Sequence, residues 1–386
     1  MGLLDLFTAA LMPVLKVLLI TALGSFLATD RLGVLGVDAR KHLNNVVFFI
    51  FNPALVGSNL ATYITLKSME TLWFMPFNIL ITFIVGSILG WLLIRSTRAP
   101  HDLRGLVLGC CSAGNLGNMP LIIIPAVCKE RGSPFGDVDV CYKHGLAYAS
   151  LSMAIGAVYM WSYVYNIMRI YSSNNCEGAK LDDLTKVANS PGETTENLSK
   201  CSAGPLLPLK NHSPNEDHTN HFELDCTVSE EKIVGFIIGA IPQFRKALID
   251  DNAPLRVVQD SVSLLGEAAI PTVTLVVGAN LLKGLKGSEV QLPVVLGIIV
   301  VRYVLLPISG VITVKSAVYL GLVKSDPLYQ FVLLLQFALP PAMNIGTMTQ
   351  LFGTGESECS VILLWTYALA SVSLTLWSTF FLWLVG

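Results

Sequence analysis

Charge is what this chain has little of: Asp, Glu, Lys and Arg together make up 13% of its 386 residues. That is about half the share found in an ordinary soluble domain. Hydrophobic residues reach 53%, more apolar surface than a soluble core of this length absorbs, so a lipid bilayer is the expected solvent. The net charge is −2 and no basic patch with interleaved aromatics occurs, which excludes nucleic acid as a partner. The eight cysteines contain no CxxC pair; Cys110 and Cys111 are adjacent and most others are scattered. Neither a disulfide framework nor a zinc site is expected from that spacing. No cleavable signal peptide is evident, because the first apolar run is long enough to span and stays in the chain. Leu6 stands where a myristoylation signal wants Ser or Thr. No His/Asp/Glu cluster and no Ser–His arrangement stands at membrane depth. The chain is therefore expected to be no enzyme and to hold no metal or cofactor.

What is present is a series of long apolar runs. A spanning helix needs about 20 mostly apolar residues. Segments 6–29, 43–66, 71–94, 105–128, 145–168, 261–282, 292–314, 327–354 and 360–386 qualify, and a tenth run, 233–242, is shorter. Between Ser172 and Lys232 lies a stretch of another kind, with Phe222 as its one aromatic residue and eleven acidic against five basic residues. Such a segment cannot bury enough apolar area to fold alone. His212, His218 and His221 in it read as solvated loop residues. The predicted organisation is an N-terminal five-helix repeat (1–171), a disordered hydrophilic loop (172–232) and a C-terminal repeat (233–386) whose first helix is shortened. The fold class is an all-α membrane protein of about ten transmembrane helices. A repeat is hinted at by Asn52-Pro53 with Gly57-Ser58-Asn59-Leu60, against Ile270-Pro271 with Gly278-Ala279-Asn280-Leu281. Lys and Arg divide almost evenly between the two sides, so charge does not set the orientation. The sequons at Asn197 and Asn211 would be used only in a lumenal loop; a cytosolic loop is the preferred reading.

The fourth span contains Gly114-Asn115-Leu116-Gly117-Asn118-Met119-Pro120. Proline removes a backbone donor and clashes with the preceding turn, and glycine makes a break permissive. The ninth span contains Leu339-Pro340-Pro341-Ala342-Met343-Asn344, where a break is expected still more strongly. A single proline kink is commonly structural. Two interrupted helices in corresponding positions of two halves instead point to a transporter's binding site. The restarting half-helices present free N–H groups and a positive dipole end. Asn115, Asn118 and Asn344 can add side-chain donors. No fixed cation stands in either break, so an anion could be held and then released. The neighbouring Leu121, Phe337, Met343 and Ile345 suit a ring or hydrocarbon.

Charged residues inside spans are the next candidates. Lys16, Glu267 and Arg302 stand within apolar runs, and Asp260 lies two turns before Glu267. Glu267 reads equally as a proton or cation site and as an ion-pair partner of Lys16 or Arg302. Tyr148, Ser150 and Ser152 are weaker candidates for the same cavity.

The run Leu255-Arg256-Val257-Val258-Gln259-Asp260-Ser261, continued by Ala269-Ile270-Pro271-Thr272-Val273-Thr274-Leu275 and Gly278-Ala279-Asn280-Leu281, resembles the PIN-LIKES proteins of plants. Gly114-Asn115-Leu116-Gly117-Asn118 and Phe337-Ala338-Leu339-Pro340-Pro341 fit the same resemblance, which extends to the wider auxin efflux carrier family. The resemblance implies two inverted five-helix repeats whose fourth and ninth helices cross at prolines. It implies residence in the endoplasmic reticulum membrane and transport of auxin, indole-3-acetic acid, from cytosol to lumen. Substrate contacts would fall on Gly114, Asn115, Asn118, Pro120, Pro340, Pro341 and Asn344. One departure is the sixth span, complete in that family and reduced here to 233–242; ten helical residues cover roughly 15 Å of a 30 Å core. The chain reads as a shortened variant. The leading expectation is a secondary carrier for auxin or similar small organic anions. The alternatives are a sodium- or proton-coupled carrier of the bile-acid type and a non-transporting membrane receptor or scaffold. A homo-oligomer is compatible with each.

Overall fold

The computed structural model describes residues 15–16, 18–29, 31–63, 72–129, 134–172, 248, 253–284 and 291–386. The hydrophilic loop beyond Ser172, its histidines and sequons, and the short run 233–242 lie outside the described residues. So does the break between the two predicted repeats.

Among the described residues all regular structure is helical, and the β-type pairing is a single isolated bridge. Helices Phe74–Thr97, Arg256–Asn280, Leu292–Tyr319 and Glu356–Val385 are long and apolar enough to cross a membrane. Leu18–Leu27, Met119–Lys129 and Pro327–Ala338 are apolar but shorter. Two of the predicted spans are thus present as pieces, because each is interrupted midway.

The distribution of side chains inverts that of a soluble protein. Trp91, Ile312, Leu376 and Trp383 are exposed, whereas Asn78, Arg302, Gln336 and Thr366 are wholly buried. Lipid accepts apolar side chains on the outside, and polar ones are tolerated only where the bundle interior surrounds them.

Prolines leave carbonyls that tertiary contacts satisfy. A π-turn at Val301–Leu305 runs into Pro307, whose missing N–H strands the carbonyl of Tyr303. The indole Nε1–H of Trp377 donates to that carbonyl at 2.8 Å.

Close helix approaches fall where the sequence has small residues. A Cβ on Gly278 would sit 2.0 Å from the Thr21 carbonyl oxygen, so only glycine admits the first helix there. Ser25 Oγ donates to the Gly278 carbonyl at 2.7 Å. Arg40 Nη1 donates to the Ala279 carbonyl at 3.0 Å and to Asn280 Oδ1 at 3.2 Å. The Gly278-Ala279-Asn280 motif is therefore a packing and anchoring element between Leu18–Leu27, Val37–Val46 and Ala269–Gly284.

One expectation is corrected here. Cys128 and Cys141 form a disulfide with their Cα atoms 5.6 Å apart. It ties the end of helix Asn118–Lys129 to the start of Val138–Tyr159. The spacing carries no motif; the bond follows from two consecutive helices packing side by side.

Candidate functional site

The first broken helix stops at Ser112, passes through extended Ala113 (φ −91°, ψ 112°) and restarts at Asn118. Pro120 falls in the first turn of the restarted half, where a missing N–H is tolerated. The break therefore precedes the proline instead of forming at it. The second broken helix stops at Ala338, turns extended at Leu339 (φ −74°, ψ 146°) and restarts at Asn344. Here Pro340 and Pro341 lie inside the break itself.

The two breaks satisfy each other. Gly114 pairs with Pro341 in an antiparallel bridge. The Asn115 N–H donates to the Pro340 carbonyl at 2.8 Å, and the Ala342 N–H donates to the Ala113 carbonyl at 3.0 Å. Irregular backbone at membrane depth needs such partners, since no bulk water is there to supply them. The Asn115 Nδ2 donates to Tyr367 Oη at 2.9 Å, and Tyr367 Oη donates to the Pro341 carbonyl at 2.9 Å. One hydroxyl on the last helix thus fastens both breaks.

A second buried network lies beside the first. Asn78 Nδ2 donates to Gln336 Oε1 at 2.8 Å and to the Leu333 carbonyl at 3.1 Å. Gln336 Nε2 donates to Ser152 Oγ at 3.0 Å. Arg302 completes the centre. Its Nε donates at 2.7 Å to the carbonyl of Cys110. That carbonyl would have been taken by the N–H of residue 114 had the helix continued. A Cβ on Gly114 would lie 3.3 Å from Arg302 Nη1 and 3.5 Å from Leu339 Cβ, so glycine leaves the space that the guanidinium fills.

The structure brings Gly114, Asn115, Pro340 and Pro341 together, with Pro120 buried nearby and Asn344 half-buried at the restart of the second helix. Asn344 makes no side-chain hydrogen bond to a described residue. Asn118 starts its half-helix, and its side chain lies outside the described set. The charged candidates separate. Lys16, Asp260 and Glu267 are exposed, and Asp260 pairs with Arg256 at 3.7 Å. Of the two readings of Glu267, the ion pair with Arg302 or Lys16 does not form, because Glu267 lies on the exposed side of its helix while Arg302 is wholly buried. The expectation that no fixed cation stands at the breaks is corrected too, since Arg302 reaches them from another helix. Tyr148 bonds Asp326 at 2.9 Å, roughly 18 Å of helix away from the second break. Ser152 belongs to the buried network. Ser150 Oγ is buried with no partner among the described residues.

Sequence reasoning passed over Tyr367, Asn78 and Gln336. Their signal is a polar side chain in the middle of an apolar run, and for Tyr367 a tyrosine far from the interfacial belt where tyrosine usually sits.

An apolar exterior, a buried polar centre and two interrupted helices joined at their breaks define a membrane transport protein. The family model described as "Membrane transport protein" matches residues 9–216 and 227–378. Protein PIN-LIKES 1 of Arabidopsis thaliana is 54% identical, over all of this chain and 81% of its own length. Protein PIN-LIKES 3 of the same plant is 52% identical, over all of this chain and 99% of its own length. An uncharacterized transporter of Schizosaccharomyces pombe is 21% identical over 91% of this chain and 89% of its own. The chain belongs to the membrane transport protein family and, within it, to the PIN-LIKES proteins.

Proposed function

We propose that this chain is a secondary carrier that moves auxin, or a similar small organic anion, from cytosol into the lumen of the endoplasmic reticulum. The observation that carries the reading is the bridge between Gly114 and Pro341, where two interrupted helices meet amid buried polar groups. Around it the ten-span layout of two inverted repeats is the arrangement that accounts for both breaks. Substrate would contact Gly114, Asn115, Asn118, Pro120, Pro340, Pro341 and Asn344. Buried Phe337, Met343 and Ile345 would receive its ring. Transport would proceed by alternating access about the crossover.

The disulfide supports an orientation. Disulfides persist in oxidising compartments such as the reticulum lumen. A lumenal turn between Cys128 and Cys141 makes the segment after Ser172 cytosolic, since one helical stretch separates them. Asn197 and Asn211 should then stay unglycosylated, and an endoglycosidase mobility shift would overturn the orientation.

The carrier reading is tested by uptake of labelled indole-3-acetic acid into sealed vesicles containing the full chain, with benzoate as control. Wild type is expected to show saturable uptake, lost in Asn115→Ala and in Asn344→Ala. Uptake by correctly inserted wild type equal to that of empty vesicles overturns the reading.

A further inference from the structure

Arg302 stands out in the sequence, yet the proposed site leaves it without a role. It is 0% exposed, and arginine stays protonated in any environment a protein offers. Nε is used by the Cys110 carbonyl, but Nη1 and Nη2 have no hydrogen-bond partner among the described residues. No carboxylate among the described residues pairs with it. A buried cation with open donors is costly and, inside a membrane protein, marks a functional position.

Its setting makes the imbalance explicit. Four half-helix ends meet at the crossover: the C-termini at Ser112 and Ala338 and the N-termini at Asn118 and Asn344. Each C-terminus carries about half a negative charge and each N-terminus about half a positive one, so the four cancel. Arg302 is left over as one unit of positive charge. A monoanion at the crossover restores neutrality. Nη1 lies 3.3 Å from where a Cβ on Gly114 would be, and Gly114 is the residue that bridges to Pro341. A planar carboxylate matches the open fork of two N–H groups.

We infer that Arg302 is the charge-selecting residue of the crossover site, the group that makes it prefer a monocarboxylate over a neutral molecule of the same shape. The inference rests on the carrier reading above and extends it, because the cation comes from neither broken helix. It also explains Gly114, since even a Cβ there would come within 3.3 Å of Nη1.

The test is binding of indole-3-acetic acid and of its neutral isostere indole-3-acetamide to the full chain in nanodiscs. Wild type is expected to prefer the acid by about tenfold to a hundredfold, the value of a hydrogen bond to a charged group. Arg302→Gln, which also gives up the bond to the Cys110 carbonyl, should weaken the acid more than the amide and so lose the preference. Arg302→Lys keeps the charge and should keep the preference in reduced form. The inference is overturned if Arg302→Gln still prefers the acid, if Arg302→Lys binds the amide normally with no preference, or if Arg302→Gln loses both ligands together, which would make the guanidinium structural. A wild type that binds neither ligand overturns the carrier reading with it.

Discussion

The two breaks reach the same geometry by opposite means. In the second, Pro340 and Pro341 interrupt the helix covalently: neither has an N–H to return to the carbonyls of Gln336 and Phe337. In the first, every residue from Ala113 to Gly117 has an N–H and could continue the helix. What opens it is tertiary: Arg302 holds the Cys110 carbonyl, Pro340 accepts from the Asn115 N–H, and Tyr367 accepts from its side chain. One break is written into the chain and the other is held open by its neighbours. The first should therefore be the more sensitive to substitution at a distance.

That contrast can be broken at several points, ranked here by loss of stability in detergent. Gly114→Leu should do most harm, since even a Cβ there is 3.3 Å from Arg302 Nη1. Overpacking of this kind costs about 1–3 kcal/mol, and uptake should fall to background. Tyr367→Phe removes the hydroxyl shared by both breaks. It strands the buried Pro341 carbonyl, at a cost of about 1–3 kcal/mol read from thermal unfolding, and lowers uptake. Asn115→Ala loses one of those two bonds while Tyr367 keeps Pro341, so about 1 kcal/mol is expected together with lost uptake. Asn344→Ala removes a half-buried amide with no bond to a described residue. Its stability should stay within about 0.5 kcal/mol of wild type while uptake is lost. If Asn344→Ala destabilised as much as Tyr367→Phe, the assignment of Asn344 to substrate would fail. If Tyr367→Phe were silent, the claim that the first break is held from outside would fail.

Much of this was legible in composition and local chemistry. Scarce charge and long apolar runs specify a bilayer protein, since hydrophobic length is a local property of the chain. The positions of both interruptions were legible as well, through Gly114-Asn115, Pro340-Pro341 and Asn344, because proline and glycine act on their own backbone. The place of the first break was less so: Pro120 marks the first turn of the new half-helix, and the opening lies several residues earlier. The ion pair weighed for Glu267 with Lys16 or Arg302, one of two equal readings, does not form, because opposite charge in a sequence says nothing about which side of a helix each residue occupies.

By itself, the sequence determined that the chain lives in lipid, that it is helical, and where its helices are allowed to break. Only the tertiary structure decided that the two breaks meet at Gly114 and Pro341, that Tyr367 fastens them, that Cys128 meets Cys141, and that Arg302 stands at their centre. The physical reason is range. Hydropathy and backbone restriction act within a turn or two of helix. A buried cation finds its partner across 192 residues of chain, once packing has closed the space between the helices.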